Sequence, residues 1–213
     1  MRSSDASMTT PQGYDAMADR YAEMFTGAYQ YPIERHAAAA FAERVIASGR
    51  SGAVLDVGCG IGHVAADLTR LGLDVIGLDP SASMLAHARR AYPRLAFIEG
   101  DAMLATVPED QQIAAIIACF SLIHVSPPDV DEALRGWARR LSDDAPVLIA
   151  VQASDGEPGP PIPFDHAVAP AWRWHPNELA RVLTAHGFSE EWRIVYRDPG
   201  YRFPMVQLLA RRR

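Results

Sequence analysis

Short apolar runs alternate with amphipathic segments along most of the chain. Five runs of four to eight residues indicate buried strands: 53–57, 74–78, 95–98, 113–120 and 146–151. Three segments between them carry apolar residues at helical spacing: 62–71, 81–91 and 126–141. Strands that alternate with helices of about ten residues predict a parallel sheet covered on both faces. The most hydrophobic run, 113–120, is expected to lie at the centre of the sheet.

The pattern differs at the two ends of the chain. Residues 1–13 are rich in serine, threonine and aspartate, and we expect them to be disordered. Residues 14–50 predict a helical cap with two amphipathic helices, 14–21 and 33–46. The segment 153–176 is rich in proline and glycine and has no periodicity, which predicts a lid loop over a site.

The C-terminal part predicts a helix and then two strands. The helix covers 177–185, and the strands 191–197 and 205–211 are close enough to pair as an antiparallel hairpin at one edge. A chain of 213 residues that is 49% hydrophobic suits one core. We therefore predict a single α/β domain over 14–213, with a doubly wound, mostly parallel sheet of seven strands.

The charge and the type of basic residue exclude several functions. The net charge of -6 argues against a nucleic-acid partner, since binding nucleic acid needs a basic face. All 20 basic residues are arginine. The chain therefore has no lysine for a Schiff base, a P-loop or general base catalysis.

The cysteines and the apolar runs bear on the location of the protein. Cys59 and Cys119 are not spaced as metal ligands, so we expect no metal and two reduced thiols. The N-terminus does not resemble a signal peptide, and no apolar run reaches the roughly 18 residues of a membrane span. We expect a cytoplasmic protein without a membrane partner, either a monomer or a homodimer.

The sharpest feature is a glycine-rich turn between the first strand and the helix after it. Glycines at alternate positions from Gly58 to Gly62 allow a sharp turn and close approach of a ligand, and the helix presents free N–H groups. A dinucleotide-binding loop would have a third glycine where His63 stands. Asp56 precedes the turn and would repel a pyrophosphate, but it suits a ligand that carries an ammonium group.

Two further acids follow the second and third strands. Asp79 ends the second strand, 19 residues after Gly60, where a carboxylate accepts hydrogen bonds from ribose hydroxyls. Asp101 follows the third strand, where it can meet an exocyclic amine. With the glycine turn, these acids indicate a ligand that contains a ribose, an adenine and an amino acid but no phosphate.

These segments resemble the class I S-adenosylmethionine-dependent methyltransferases, and more narrowly their small-molecule branch. The resemblance rests on Asp-Val-Gly-Cys-Gly-Ile-Gly at 56–62, Gly-Leu-Asp-Pro-Ser at 77–81 and Glu-Gly-Asp-Ala at 99–102, and it extends over about 14–213. It implies a Rossmann-like methyltransferase fold and the cofactor S-adenosylmethionine, with S-adenosylhomocysteine as product. The implied reaction is methyl transfer to an O, N or S atom of a small molecule.

The resemblance also implies which residues hold the methionine and ribose parts of the cofactor. Gly58, Cys59 and Gly60 would line the methionine moiety, with Asp56 near its amino group. Asp79 would bind both ribose hydroxyls. For Cys59, a small buried filler of the core is the alternative role.

Further residues are implied around the adenine and the sulfonium. Four would surround the adenine: Ser81, Met84, Asp101 and, through a backbone group, Ala102. Phe120 would contact the sulfonium side, and Tyr14 and Tyr21 would close over the cofactor. Met84 is equally compatible with ordinary core packing, and the two tyrosines with anchoring of their helix.

The acceptor side is less defined by the sequence. His124 follows the fourth strand at the carboxyl edge of the sheet and is the candidate general base. The alternative is a histidine that caps the next helix or fixes the loop. Tyr29, His166, Trp172 and Trp174 are candidates for the wall of a substrate pocket, with packing as the alternative for the tryptophans.

Rival functions predict residues that the chain lacks. A nicotinamide oxidoreductase predicts a glycine at position 63 and, in the short-chain type, a Tyr-x-x-x-Lys pair, and this chain has neither. Methyltransferases that act on amines of nucleic acids carry Asn/Asp-Pro-Pro-aromatic after the fourth strand, where this chain has Phe120-Ser121-Leu122. A small-molecule acceptor is the remaining prediction. A non-catalytic protein that binds an adenosyl ligand stays open, since fold does not prove turnover.

Overall fold

A computed structural model of the chain describes residues 10–213. Nine strands lie within them: β1 (Ala53–Val57), β2 (Val75–Asp79), β3 (Ala96–Glu99), β4 (Ile113–Cys119), β5 (Pro146–Gln152), β6 (Ile162–Phe164), β7 (Ala171–Arg173), β8 (Phe188–Tyr196) and β9 (Met205–Arg212). Seven form one sheet in the order β3-β2-β1-β4-β5-β9-β8. The first five strands of that order are parallel, and β9 pairs antiparallel with both β5 and β8. The predicted doubly wound, mostly parallel sheet is confirmed, with β4 at its centre.

Six α-helices accompany the strands in the described part of the chain: α1 (Thr10–Met24), α2 (Pro32–Ala47), α3 (His63–Arg70), α4 (Ala82–Ala91), α5 (Pro127–Arg140) and α6 (Pro176–Ala185). Ser81 caps α4 and Ser126 caps α5 by accepting a hydrogen bond from a backbone N–H in the first turn. Of the helices that the structure describes, none is long and apolar enough to cross a membrane.

The start of α1 corrects one prediction. Residues 10–13, expected to be disordered, form the first turn of α1, whereas residues 1–9 lie outside the described residues. Gly13 packs so closely on the segment 153–176 that a Cβ atom there would lie 2.5 Å from the carbonyl oxygen of Val168. This contact between distant parts of the chain orders a turn whose composition alone suggested disorder.

Helices cover both faces of the sheet. On one face, Trp137 of α5 and Leu183 of α6 pack against the central strands. On the other face, Phe41 of α2 and Leu68 of α3 do so. Six of the seven residues of β4 are buried, as expected for a parallel strand covered on both faces. The sheet is therefore rigid at its centre, and its carboxyl edge is a fixed platform for the loops that follow β1, β2 and β4.

The segment 153–176 is more ordered than predicted. It contains the short antiparallel hairpin of β6 and β7. The C-terminal end of the segment is tied to the sheet, because the Trp174 N–H donates to the Gln152 carbonyl at 3.0 Å. The two ends of the segment are joined to each other, because the Ser154 N–H donates to the Trp174 carbonyl at 3.1 Å. Strands of three residues are too short to show an alternating pattern in the sequence.

Candidate functional site

A cavity of about 490 Å³ lies at the carboxyl edge of the sheet, between β1 and β4, where the strand order reverses. One wall is the glycine turn after β1, and α1 forms another. The cavity is lined by nine of the residues predicted to bind the cofactor: Tyr14, Tyr21, Asp56, Gly58, Cys59, Gly60, Asp79, Met84 and Phe120. Residues from six different elements or turns therefore meet at the carboxyl edge of the sheet.

The glycine turn exposes its backbone to this cavity. Gly58 has φ +76°, and a Cβ atom at this residue would lie 2.1 Å from Cβ of Ser121, so only glycine fits. Gly60 has φ +53°, and a Cβ atom there would have no atom within 4 Å. The turn thus packs tightly on one side and leaves open space on the other, where a ligand can approach the main chain.

Asp79, the last residue of β2, is held in place by two backbone donors. Its Oδ2 accepts from the Gly60 N–H at 2.8 Å, and its Oδ1 accepts from the Ser81 N–H at 2.9 Å. Burial nevertheless raises its pKa to about 6, because desolvation outweighs the two hydrogen bonds. The carboxylate links the glycine turn to the start of α4 and retains lone pairs for a ligand.

Asp56 is the most deeply buried of the carboxylates that line the cavity. It is 1% exposed, and its Oδ2 has no hydrogen-bond partner. Burial, and then the nearby charge of Asp79, raise its pKa to about 7. A buried carboxylate oxygen without a donor is costly, which makes Asp56 a candidate to meet a positively charged donor on a ligand. The orphaned oxygen and the open glycine turn together fit the amino-acid part of an adenosyl ligand.

His124 joins three separate parts of the chain around the cavity. Its Nδ1 lies 3.0 Å from the Pro170 carbonyl oxygen, which can only accept, so Nδ1 carries the proton. Its Nε2 therefore accepts from the Tyr14 hydroxyl at 2.9 Å. Burial, followed by the neighbouring His166, lowers the pKa of His124 to about 4 and keeps the ring neutral. The histidine links α1 to the segment 153–176.

The predicted substrate residues divide into two groups. Tyr29 and His166 line the cavity, and the ring of His166 lies edge-on to that of His124 with centroids 4.7 Å apart. Trp172 and Trp174 do not line it. Trp174 is 2% exposed and belongs to the main core, which agrees with the packing alternative. Trp172 lies in β7 opposite Pro163. Contact of the two tryptophans with a substrate stays a prediction.

Of the four residues predicted to surround the adenine, one lines the cavity and three do not. Met84 is buried and lines the cavity. Ser81, Asp101 and Ala102 do not line it, and each has a partner within the protein. The Ser81 hydroxyl donates to Asp15, Asp101 accepts from the Met103 N–H, and the Ala102 carbonyl accepts from Trp137. Their contact with a cofactor stays a prediction.

Sequence reasoning missed the residues that fix α1 beside the cavity. Asp15 Oδ1 accepts from the Ser81 hydroxyl at 2.6 Å and from the Ser83 N–H at 3.0 Å, so a side chain of α1 caps α4. One turn later, Asp19 lies 2.7 Å from Nε2 of His87. The only signal in the sequence was the four-residue spacing of the two acids, which equally fits a solvated helix face.

A second group missed from the sequence forms an extension of the cavity that we call the α2 wing, since it lies at the N-terminus of α2. It consists of Gln30, Glu34, Gln152, Met205 and Gln207. Of its polar residues, Gln30 precedes α2, Glu34 lies in the first turn of α2, Gln152 ends β5 and Gln207 lies near the start of β9. No motif marks them, because they meet only when β9 pairs with β5 and α2 packs over this face.

Comparison with known proteins identifies the part of the chain around the glycine turn. Residues 54–144 match a family model described as a methyltransferase domain. A demethylmenaquinone methyltransferase of Beutenbergia cavernae is 40% identical over 74 residues, which are 35% of this chain and 30% of that protein. The chain spans less than half the length of the first curated relatives that it matches.

Solved structures share the fold across almost the whole chain. A 1,6-didemethyltoxoflavin-N1-methyltransferase of Burkholderia thailandensis, solved with 1,6-didemethyltoxoflavin and S-adenosylhomocysteine, has a TM-score of 0.66 at 22% identity, covering 98% of this chain and 92% of that one. The [4+2]-cyclase SpnF has a TM-score of 0.74 at 19% identity, covering 97% of each chain. At these identities the likeness shows the fold alone, and the cyclase shows that this fold serves more than one chemistry.

Proposed function

We propose that this chain, whose residues 54–144 match a methyltransferase domain, is a class I S-adenosylmethionine-dependent methyltransferase that transfers a methyl group from S-adenosylmethionine to an O, N or S atom of a small molecule. The observation that carries this proposal is the junction of the open glycine turn with two buried carboxylates, Asp56 and Asp79, at the switch point of the sheet. The proposed ligand has an ammonium group, for which Asp56 Oδ2 is an unpartnered acceptor, and two ribose hydroxyls, for which Asp79 retains free lone pairs.

The proposed roles of the binding residues follow from their positions. Asp79 would accept from the ribose hydroxyls, since its two backbone donors leave lone pairs free. Asp56 would pair with the ammonium group through its orphaned Oδ2. The backbone at Gly60 would lie against the methionine chain, and Met84 would pack on the adenine. Tyr14 on α1 would close the site over the cofactor.

The bound cofactor supplies a methyl group on a sulfonium, which is already activated for displacement. The protein then has to hold the acceptor atom in line with that methyl group and exclude water. Phe120, which follows β4 and has φ +56°, and the aromatic side chains of α1 provide apolar walls at this point. The α2 wing is the part of the cavity proposed to hold the acceptor.

His124 is the proposed general base, and the structure sets a condition on that role. Its Nε2 already accepts from the Tyr14 hydroxyl, and its Nδ1 donates to Pro170. To take a proton from the acceptor, Nε2 has to exchange Tyr14 for the acceptor atom. Until that exchange, His124 holds α1 against the segment 153–176.

The protonation state of His124 can be predicted from these contacts. We expect the ring to remain neutral, with the proton on Nδ1, from pH 5.5 to pH 8, because its pKa is lowered to about 4. Long-range ¹H–¹⁵N correlation spectra of ring-labelled protein report both tautomer and pKa. Tyr14→Phe should change the Nε2 shift and leave the Nδ1 proton in place. A pKa near 6.5, or a proton on Nε2, would contradict the arrangement.

The proposed function is tested first by ligand binding. Isothermal titration is expected to give micromolar affinity for S-adenosylmethionine and S-adenosylhomocysteine and none for NADH. No binding of the two adenosyl ligands, or preference for NADH, would overturn the proposal. Transfer of radiolabelled methyl from S-adenosylmethionine to a mixture of small amines, phenols and thiols then separates an enzyme from a non-catalytic binding protein.

A further inference from the structure

We propose that the methyl acceptor carries no negative charge, being neutral or cationic, and that it donates an N–H or O–H hydrogen bond to Gln152 beside Glu34 in the α2 wing. The proposal rests on the proposed function, since it assigns the acceptor of that same site. It names a substrate class and two residues that select it.

The wall of the cavity contains negative side chains without a positive counterpart. Asp56, Asp79 and Glu34 line it, and no arginine does so among the described residues, while the chain has no lysine at all. Nor do the histidines supply a positive charge. Burial lowers the pKa of both His124 and His166.

The third histidine of the wall, His63, has both ring nitrogens engaged within the protein. Its Nε2 lies 2.9 Å from the Phe25 carbonyl oxygen and therefore donates to it. Its Nδ1 lies 2.6 Å from the Tyr92 hydroxyl oxygen. His63 therefore has no free N–H to offer to an anionic ligand.

Glu34 places its charge in the α2 wing. It is 7% exposed, and its Oε2 accepts from the Gln30 N–H at 2.9 Å as part of the N-terminal cap of α2. Its Oε1 accepts from the Tyr196 hydroxyl at 2.9 Å. These donors are neutral, and Glu34 forms no ion pair with another described residue. The capping role therefore explains the position of the carboxylate and leaves its charge unpaired.

Gln152 supplies the second, independent observation. Its Oε1 is buried and has no hydrogen-bond partner, and a carbonyl oxygen can only accept. The strand register places it beside the reaction centre. Ala150 pairs with Cys119 on β4 and with Gln207 on β9, and Gln152 lies two residues further along β5, so these side chains share one face. That face lies next to Phe120, which follows β4.

The charges and the orphaned acceptor select the same class of molecule. A ligand carboxylate or phosphate in this wing would lose its hydration and lie near Glu34 and the unpartnered Gln152 Oε1, with no arginine or lysine among the described residues of the wall to pair with it. A neutral N–H or O–H would satisfy Gln152, and an ammonium would also pair with Glu34. Repulsion of anions and a required donor are two separate sources of specificity.

The test uses three molecules of similar shape and different charge: tryptamine, indole-3-acetamide and indole-3-acetate. Each is titrated into the protein saturated with S-adenosylhomocysteine, and binding is followed by saturation-transfer NMR and calorimetry at pH 7.5. We expect tryptamine and the amide to bind at least tenfold more tightly than the carboxylate. Equal binding, tighter binding of the carboxylate, or binding of none of the three would overturn the proposal.

Two variants assign the selectivity to its residues. Glu34→Gln should reduce the affinity for tryptamine about tenfold and leave that for the amide within threefold. Gln152→Met, which keeps the volume and removes the acceptor, should weaken both. If Glu34→Gln unfolds α2, Gln152→Met still tests the proposal. Binding of S-adenosylhomocysteine is measured first, so that failure of the proposed function appears as loss of that ligand, and failure of this inference appears with that ligand bound.

Discussion

Asp79→Ala is expected to weaken the binding of S-adenosylmethionine and S-adenosylhomocysteine by about 100- to 1000-fold. Two hydrogen bonds from ribose hydroxyls to a carboxylate account for a loss of this size, at about 1.5–2 kcal/mol each, the lower part of the range for a charged acceptor. The variant also releases the Gly60 N–H and the Ser81 N–H, the two donors that Asp79 now accepts from. Isothermal titration calorimetry measures both affinities, and thermal unfolding reports whether the fold survives.

The matched control is Asp101→Ala. Asp101 follows β3 as Asp79 ends β2, and both were predicted from the sequence to contact the cofactor. Asp101 is exposed and lies outside the cavity lining, so its removal should change affinity by less than about tenfold. Similar losses in the two variants would show that the bound protein rearranges around Asp101. An unchanged affinity in Asp79→Ala would remove the basis of the cofactor assignment.

The core strands were predictable because burial on both faces leaves a continuous apolar run. The bounds of β1 agree residue for residue with the prediction, and those of β4 and β5 differ by one residue at one end. The hairpin of β6 and β7 was not predictable, since its strands have three residues and are fixed by contacts with the end of β5. The local pattern of apolar residues thus predicts strands that are buried on both faces. It misses short strands that form only through contacts with residues far away in the sequence.

The candidate site shows the same division. Asp56, Gly58 and Asp79 lie within one βαβ unit, so their spacing along the chain already places them together. Glu34 and Gln152 are 118 residues apart in the sequence, and only the packing of α2 over β5 brings them into one wing. The grouping of the residues around the glycine turn could therefore be predicted from the sequence, and the grouping of the α2 wing could not.

Asp56→Asn is expected to stabilise the ligand-free protein while it weakens cofactor binding. The pKa of Asp56 is raised from 3.8 to about 7, so the folded state holds the proton more tightly than the unfolded state does. The contribution of this group to stability is therefore highest below pH 4 and falls as the pH rises towards 7. Above pH 7 the fold contains a buried, ionised carboxylate with one unpaired oxygen. An asparagine of the same shape removes that charge.

At pH 8, Asp56→Asn is expected to raise the free energy of unfolding by about 2 kcal/mol, which corresponds to a rise of about 4–8 °C in Tm for a chain of this size. The gain should shrink as the pH is lowered below 7, because the wild-type carboxylate then becomes protonated as well. Differential scanning fluorimetry from pH 5 to pH 8.5, with and without saturating S-adenosylhomocysteine, measures both effects.

Cofactor binding should change in the opposite sense in the same variant. Loss of the charged partner of the ammonium group is expected to weaken S-adenosylhomocysteine binding by about 10- to 100-fold, and the wild-type affinity should fall as the pH drops below 7. A binding residue is expected to lower the stability of the empty protein and to raise its affinity for the ligand. Substitution of a structural residue would instead lower the stability of the protein. If Asp56→Asn lowers Tm at every pH, Asp56 is a structural residue, and the ammonium assignment has to be abandoned.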